Sequence, residues 1–98
     1  MSNPIREVAI VGAGIAGASA AIQLKRFGAD ICLIEKNCVG GLARNANLIE
    51  NYLGFPRGIA GSAFASLIAK QLNEHEIEII HRSIESITYT DKFELQSS

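Results

Sequence analysis

A glycine-rich turn between an apolar segment and an amphipathic segment constrains the fold of this 98-residue chain more than any other feature. The turn is Gly12-Ala13-Gly14-Ile15-Ala16-Gly17, and it follows residues 6–11, whose last four positions are all apolar. Such a run predicts a strand buried on both faces, as in a parallel sheet. Residues 15–27 have helical periodicity and end at Gly28, a favourable helix stop. Because residues 30–35 predict another apolar strand, we expect a right-handed parallel β-α-β crossover.

The spacing of the three glycines predicts a phosphate-binding turn. A Gly-x-Gly-x-x-Gly motif is a weak signal alone, but here it follows a strand and opens a helix, as the chemistry requires. Gly12 permits the sharp turn, Gly14 lets a pyrophosphate approach the backbone, and Gly17 lets the helix lie close to the strand. The helix N-terminus then offers unpaired N–H groups to phosphates. The intervening positions of the predicted site are Ala13, Ile15 and Ala16.

A carboxylate completes this pattern, since Glu35 ends the second predicted strand, 18 residues after Gly17. A carboxylate in that position can accept hydrogen bonds from both hydroxyls of an adenosine ribose. It would repel a 2′-phosphate, which argues against NADP at this site. A solvated charge at a strand end is the alternative for Glu35 taken alone. No Gly-Lys-Ser/Thr closes the turn, so a P-loop is disfavoured, and the pattern predicts a dinucleotide site for either FAD or NAD.

Composition and charge exclude several other classes of function. The net charge is -1 with a pI near 6.1, so no basic field attracts nucleic acid or anionic lipid. No apolar run approaches the roughly 20 residues of a membrane span, and residues 1–4 do not resemble a signal peptide. We therefore expect a cytoplasmic protein. Cys32 and Cys38 lack the spacing of a redox dithiol or zinc knuckle, and we predict neither catalytic residues nor a metal site.

The segment after the second strand makes the prediction more specific. Gly40-Gly41 follows Glu35 closely, and further on stands Glu50-Asn51-Tyr52-Leu53-Gly54-Phe55-Pro56-Arg57-Gly58-Ile59-Ala60-Gly61. With the glycine turn, these motifs resemble the FAD domain of the thioredoxin reductase-like flavoproteins, in the pyridine nucleotide–disulfide oxidoreductase class. The resemblance runs from Val8 to about Ile80, which is most of the chain. Its longest stretch, residues 50–61, is difficult to explain by chance.

The resemblance implies a role for particular residues. The three glycines of the turn would bind the FAD pyrophosphate, Glu35 the adenosine ribose, and Lys36 would lie near the adenine. Asn51 would hydrogen-bond the flavin or ribityl region, although it could equally cap a turn. Gly41 and Leu42 would line the flavin side of the pocket, and Gly40 with Gly41 would let the backbone approach the ligand closely. The family often has Gln where this chain has Leu42, which removes one expected polar contact.

The remaining elements complete the predicted fold. A helix begins near Ser62, a candidate N-cap, with a buried stripe of Phe64, Leu67, Ile68 and Leu72. Residues 77–80 predict a third strand, and two further strands flank Asp91-Lys92 as a hairpin. We expect an α/β fold with a Rossmann-like parallel sheet and a C-terminal β-hairpin. Residues 1–98 would be the N-terminal portion of an FAD-binding domain.

The implied function is the FAD-binding part of an NAD(P)H-dependent flavoprotein oxidoreductase. Hydride would pass from a nicotinamide to FAD and on to a disulfide or another acceptor, and NADPH or NADH would need a second domain. The alternatives are a stand-alone FAD- or ADP-binding module without catalysis and an NAD-dependent dehydrogenase domain. We expect a fragment of a longer reductase rather than a free-standing half-domain. Because an incomplete sheet exposes an edge, we also expect a homodimer or a complementing chain.

Overall fold

Residues 5–97, which the computed structural model describes, form a parallel three-stranded sheet, two α-helices, a short 3-10 helix and a separate hairpin. Residues 1–4, on which the expectation about a signal peptide rests, lie outside this range. The strands are β1 (Val8–Val11), β2 (Ile31–Ile34), β3 (Ile79–Ile80), β4 (Ile84–Tyr89) and β5 (Phe93–Ser97). The helices are α1 (Ile15–Arg26), α2 (Gly61–Glu74) and a 3-10 helix (Gly41–Asn45). No helix in this range is long and apolar enough to cross a membrane.

The sheet has the order β1-β2-β3, and both pairings are parallel. Val8 pairs with Ile31 at one end of β1 and Val11 with Ile34 at the other. Strand β3 pairs only with the last two residues of β2. The predicted α/β fold with a β-α-β unit is therefore confirmed.

Strand β2 lies at the centre, and all four of its residues are buried. The predicted burial of β1 on both faces is wrong, because Ala9 and Val11 are exposed. Val8 and Ile10 pack against the core that both helices form, whereas no helix in residues 5–97 covers the opposite face. On that opposite face Cys32 and Ile34 of β2 are buried, so the exposure is confined to Ala9 and Val11 of the edge strand β1.

Helix α1 ends as its sequence predicts. Gly28 has a positive φ of 85° and donates its N–H to the carbonyl of Lys25 at 2.9 Å. Ala29 donates to the carbonyl of Leu24 at 3.1 Å, which closes the end of the helix. The buried face of α1 consists of small residues, Ala18 and Ala21, so the helix can lie close to the sheet.

Helix α2 does not begin as predicted, because Ala60 rather than Ser62 is the N-cap and no side chain caps it. The preceding segment determines this start. Gly61 donates its N–H to the carbonyl of Ala46 at 2.9 Å. A Cβ on Gly61 would lie 2.1 Å from the carbonyl oxygen of Ala43, so only glycine fits there. A tertiary contact therefore replaces the side-chain cap.

The buried stripe of α2 is predicted correctly at Phe64, Ile68 and Leu72 but not at Leu67, which is 46% exposed. Ala65 is buried in its place. A Cβ on Gly40 would lie 2.6 Å from the Cβ of Ala65, so the segment after β2 passes directly over α2 at this point. Small residues on both sides allow that contact.

The irregular segment 36–61 is ordered around α2. Ile49 and Ile59 form an isolated antiparallel bridge that closes a loop. Within this loop, the rings of Tyr52 and Phe55 lie 5.0 and 5.7 Å from the ring of Phe64. Loop packing therefore accounts for both aromatic residues.

The predicted hairpin is present as β4 and β5, which pair antiparallel. Tyr89 pairs with Phe93 and Ile87 with Leu95, so all four side chains lie on one face. Ile87, Tyr89 and Phe93 are each more than half exposed. The hairpin therefore presents an apolar surface.

Candidate nucleotide-binding site

The glycine turn connects the carboxyl end of β1 to the first turn of α1. Gly12 has a positive φ of 105°, which favours glycine, and donates its N–H to the carbonyl of Ile34 at 2.7 Å. This bond fixes the turn against the end of β2. The sharp turn predicted at Gly12 is confirmed.

Gly14 is the N-cap of α1 and faces open space. No atom lies within 4 Å of the position that a Cβ on Gly14 would take. No side chain caps the helix there, and its first turn contains no acidic residue. The N–H groups and the partial positive charge of this helix end therefore remain available to an anion.

Gly17 serves a different purpose in the same turn. A Cβ at this position would lie 1.9 Å from the carbonyl oxygen of Gly12. The first turn of α1 therefore packs directly on the backbone that leaves β1, as the sequence predicts. Gly17 thus maintains the geometry of the turn, whereas the open space beside Gly14 can admit a ligand.

Glu35 is buried behind the turn at 8% exposure. Its Oε1 accepts the N–H of Ala13 and its Oε2 accepts the N–H of Asn37, each at 2.8 Å. Burial disfavours the charged form, but these two hydrogen bonds, together with the charges of Lys36 and His81, hold the pKa of the Glu35 carboxyl below its usual range. A carboxylate oxygen accepts more than one hydrogen bond, so this ionised group can still receive ribose hydroxyls.

The Gly40-Gly41 pair lies against the glycine turn. Gly40 donates its N–H to the carbonyl of Ala13 at 2.8 Å, and both glycines have a positive φ. A Cβ on Gly41 would lie 3.3 Å from the Cα of Gly14. The pair thus forms a second backbone wall beside the predicted phosphate position.

The predicted flavin-side residues are less tightly placed. Leu42 follows the glycine pair in the 3-10 helix and is 89% exposed. Asn51 is exposed in the loop whose aromatic residues pack on α2. Its side chain forms no hydrogen bond within the described part of the chain, which gives no support to a turn cap. The ligand roles of both residues stay predictions.

A cleft of about 240 Å³ opens beside Glu35 at the carboxyl edge of the sheet. Five of its lining residues belong to the β1 and β2 ends, namely Val11, Gly12, Ile34, Glu35 and Lys36. The other three are Arg82 and Ser83 of the β3–β4 connection and Ile84 at the start of β4, none of which is among the site residues that the sequence predicts. A topological signal could have indicated them, because the carboxyl ends of neighbouring parallel strands meet at the same sheet edge.

A second groove of about 420 Å³ lies between α1 and α2. Of the glycine-turn residues, only Ile15 lines it, and its walls are mainly side chains of the two helices and the aromatic loop. It lacks the exposed backbone N–H groups that mark the turn. We therefore place the candidate site at the sheet edge and not in the larger groove.

The two cysteines differ in their exposure to solvent. Cys32 is buried in β2, whereas Cys38 is exposed in the loop that follows. Burial raises the pKa of the Cys32 thiol above its usual value, against the opposing charge of Arg6. Within residues 5–97, no group of three or more His, Cys, Asp or Glu side chains could hold a metal ion. The geometry of the described site is suited to binding a ligand.

Comparison with known proteins identifies the group to which this geometry belongs. The sequence pattern of the family described as pyridine nucleotide-disulphide oxidoreductase matches residues 6–98. Thioredoxin reductase of Ureaplasma parvum is 31% identical over 93 residues, covering 95% of this chain and 30% of that protein. The structure of T. acidophilum thioredoxin reductase superposes with a TM-score of 0.86 at 38% identity, covering 94% of this chain and 30% of that one.

A third relative is described with the words ferredoxin and flavin in its name. A ferredoxin-flavin thioredoxin reductase from Clostridium acetobutylicum has a TM-score of 0.84 and 28% identity, covering 94% of this chain and 32% of that one. The chain therefore spans about a third of the length of each of these three relatives.

Proposed function

Because the chain belongs to the pyridine nucleotide-disulphide oxidoreductase family, we propose that residues 1–98 are the N-terminal portion of an FAD-binding domain in a cytoplasmic, thioredoxin reductase-like enzyme. The observation that carries this proposal is the joint geometry of the glycine turn and Glu35. An uncapped helix end, open space at Gly14 and an ionised carboxylate stand at one sheet edge. This combination suits the pyrophosphate and ribose of a dinucleotide.

The residues present fit the ADP half of FAD. Gly12, Gly14 and Gly17 with the first-turn N–H groups of α1 would hold the pyrophosphate, and Glu35 would hold the adenosine ribose. Lys36 lines the cleft beside Glu35, in agreement with a position near the adenine. The proximity of Gly41 to Gly14 supports a continuous backbone surface leading towards the flavin. On that side, the proposed contacts are Gly40, Gly41, Leu42 and Asn51.

FAD, when bound, would supply the redox chemistry of the enzyme, taking hydride from a nicotinamide and passing electrons to a disulfide or another acceptor. The residues of this chain bind and orient the cofactor and exclude water from its ADP half. NADPH or NADH would bind to a second domain. The name of the Clostridium relative includes both flavin and ferredoxin. The word flavin supports FAD as the cofactor of this chain. The word ferredoxin indicates that the shared fold does not by itself identify the electron donor.

A stand-alone nucleotide-binding module is the second candidate function. One observation favours it: the pyrophosphate and ribose positions are well defined, whereas the flavin side offers an almost fully exposed Leu42 and few fixed polar groups. Such a module would bind FAD and ADP through the same contacts. Neither candidate requires a catalytic side chain in this chain.

Calorimetric titration of the 98-residue chain with FAD, ADP and NAD tests both candidates. We expect FAD to bind at least tenfold more tightly than ADP if the flavin half contributes, together with a shifted flavin absorbance spectrum. Equal affinities for FAD and ADP would favour the module. Failure to bind either nucleotide would refute both candidates, and preference for NAD over FAD would indicate a dehydrogenase domain.

We further propose that the chain associates, as a homodimer or with a complementing chain. Strand β1 has one free edge in the described sheet, and the apolar face of the hairpin is exposed. Sedimentation velocity over a hundredfold concentration range should show a species larger than 10.5 kDa. A single monomeric boundary at every concentration would contradict this.

A further inference from the structure

The cleft beside Glu35 has two kinds of wall. The carboxylate and the turn backbone form one end, and the β3–β4 connection forms the other. Glu35 donates its own N–H to the carbonyl of Ile80 at 3.0 Å, which brings the end of β3 against the ribose-binding position. Arg82 stands two residues beyond Ile80 and lines the cleft from that side.

The order of chemical groups along a dinucleotide decides what this cleft can hold. The ribose lies between the pyrophosphate and the base in the ligand. With the pyrophosphate at the glycine turn and the ribose at Glu35, the base must continue past Glu35, away from Gly14. The cleft lined by Arg82 and Ile84 opens beside Glu35 and can receive it.

The lining of the cleft is suited to a flat, uncharged ring. Val11, Ile34 and Ile84 supply apolar walls, and Arg82 is exposed at the rim. Within residues 5–97, Arg82 forms no ion pair or hydrogen bond that would hold it elsewhere. A guanidinium group is planar, weakly hydrated and stacks on aromatic faces, whereas the ammonium group of Lys36 does not. The Glu35 carboxylate in the same cleft disfavours a further phosphate group.

We propose that Arg82 is a specificity-determining residue that stacks its guanidinium group on the nucleobase of the bound dinucleotide and favours a purine. This inference rests on the proposed nucleotide-binding function and adds to it a residue outside the glycine-turn motif. The contribution is that of an exposed cation–aromatic contact. It corresponds to about a two- to fivefold gain in affinity.

Calorimetric or NMR titrations of the 98-residue chain test this with three probes: ADP, UDP and ribose 5-phosphate. Arg82→Ala should weaken ADP binding about two- to fivefold, narrow the preference for ADP over UDP, and leave ribose 5-phosphate unchanged. Arg82→Lys retains the charge but loses the planar stacking group, so it should restore only part of the ADP affinity that Arg82→Ala loses. Arg26→Ala is the matched control, because Arg26 ends α1, about 18 Å from the turn, and should leave all three affinities unchanged.

Each contrary result has a distinct meaning. Full recovery in Arg82→Lys, or an equal loss for ribose 5-phosphate, would show a charge effect and overturn the stacking role. Unchanged ADP binding in Arg82→Ala would overturn the inference while leaving the proposed function intact. If the unmodified chain bound neither ADP nor FAD, the proposed function itself would fail, and this inference with it.

Discussion

Gly14→Ala should separate ligand binding from folding. Gly14 has φ −76° and ψ −167°, an extended conformation that alanine adopts readily. The added Cβ would meet no protein atom within 4 Å. It would enter the space in which we place the pyrophosphate, so the substitution should impair binding without disturbing the fold.

The expected effect on stability is small because two contributions oppose each other. Alanine is less favourable than glycine at a helix N-cap by some tenths of a kcal/mol, whereas losing a glycine restricts the unfolded chain by about 0.4–1 kcal/mol. The free energy of unfolding should therefore change by less than about 1 kcal/mol. Losing one charge-assisted hydrogen bond to phosphate costs about 1.5–3 kcal/mol, which weakens ADP binding about tenfold to a hundredfold.

Gly17→Ala is the matched control, since the same methyl group is added three residues away. Its Cβ would lie 1.9 Å from the carbonyl oxygen of Gly12, so α1 would have to withdraw from β1. Overpacking of this kind costs about 1–3 kcal/mol or more. Urea unfolding followed by circular dichroism measures the stability of both variants, and titration with ADP measures binding.

Two results would refute this reasoning. Unchanged ADP affinity in Gly14→Ala would show that the pyrophosphate does not approach this backbone. A loss of stability in Gly14→Ala as large as that in Gly17→Ala would show that the open space at Gly14 is not present in solution.

Three further substitutions test the carboxylate and the core. Glu35→Gln should lower the free energy of unfolding at pH 7 by about 1.5–3 kcal/mol, because an amide NH₂ would face one of two N–H donors. Because the pKa of Glu35 is lowered in the folded state, the stability difference between the two proteins should stay constant down to about pH 5 and shrink as the pH falls below about 4.3. Urea unfolding at a series of pH values measures this. A stability difference that does not depend on pH would contradict the prediction. Leu72→Ala should cost about 2–5 kcal/mol, and Leu67→Ala, on the exposed side of the same helix, less than about 1 kcal/mol; equal losses would place the buried face of α2 elsewhere.

The sequence alone determined the β-α-β unit, because its signals are local. Residues 8–11 and 31–34 are apolar without interruption, Gly28 ends α1, and Gly12 permits a positive φ. Each of these features depends on residues that are neighbours in the sequence. Hydrophobic periodicity and backbone stereochemistry are therefore enough to predict them. The placement of Glu35 at the turn also followed, since parallel strands end at the same edge.

The tertiary structure decided the features that depend on residues distant in the chain. Helix α2 begins at Gly61 because Ala43 and Ala46 approach its backbone, not because a hydroxyl caps it. The buried stripe includes Ala65 because Gly40 crosses it. Arg82 reaches the cleft only because β3 pairs with β2. These contacts join segments that lie far apart in the sequence, so no local pattern specifies them.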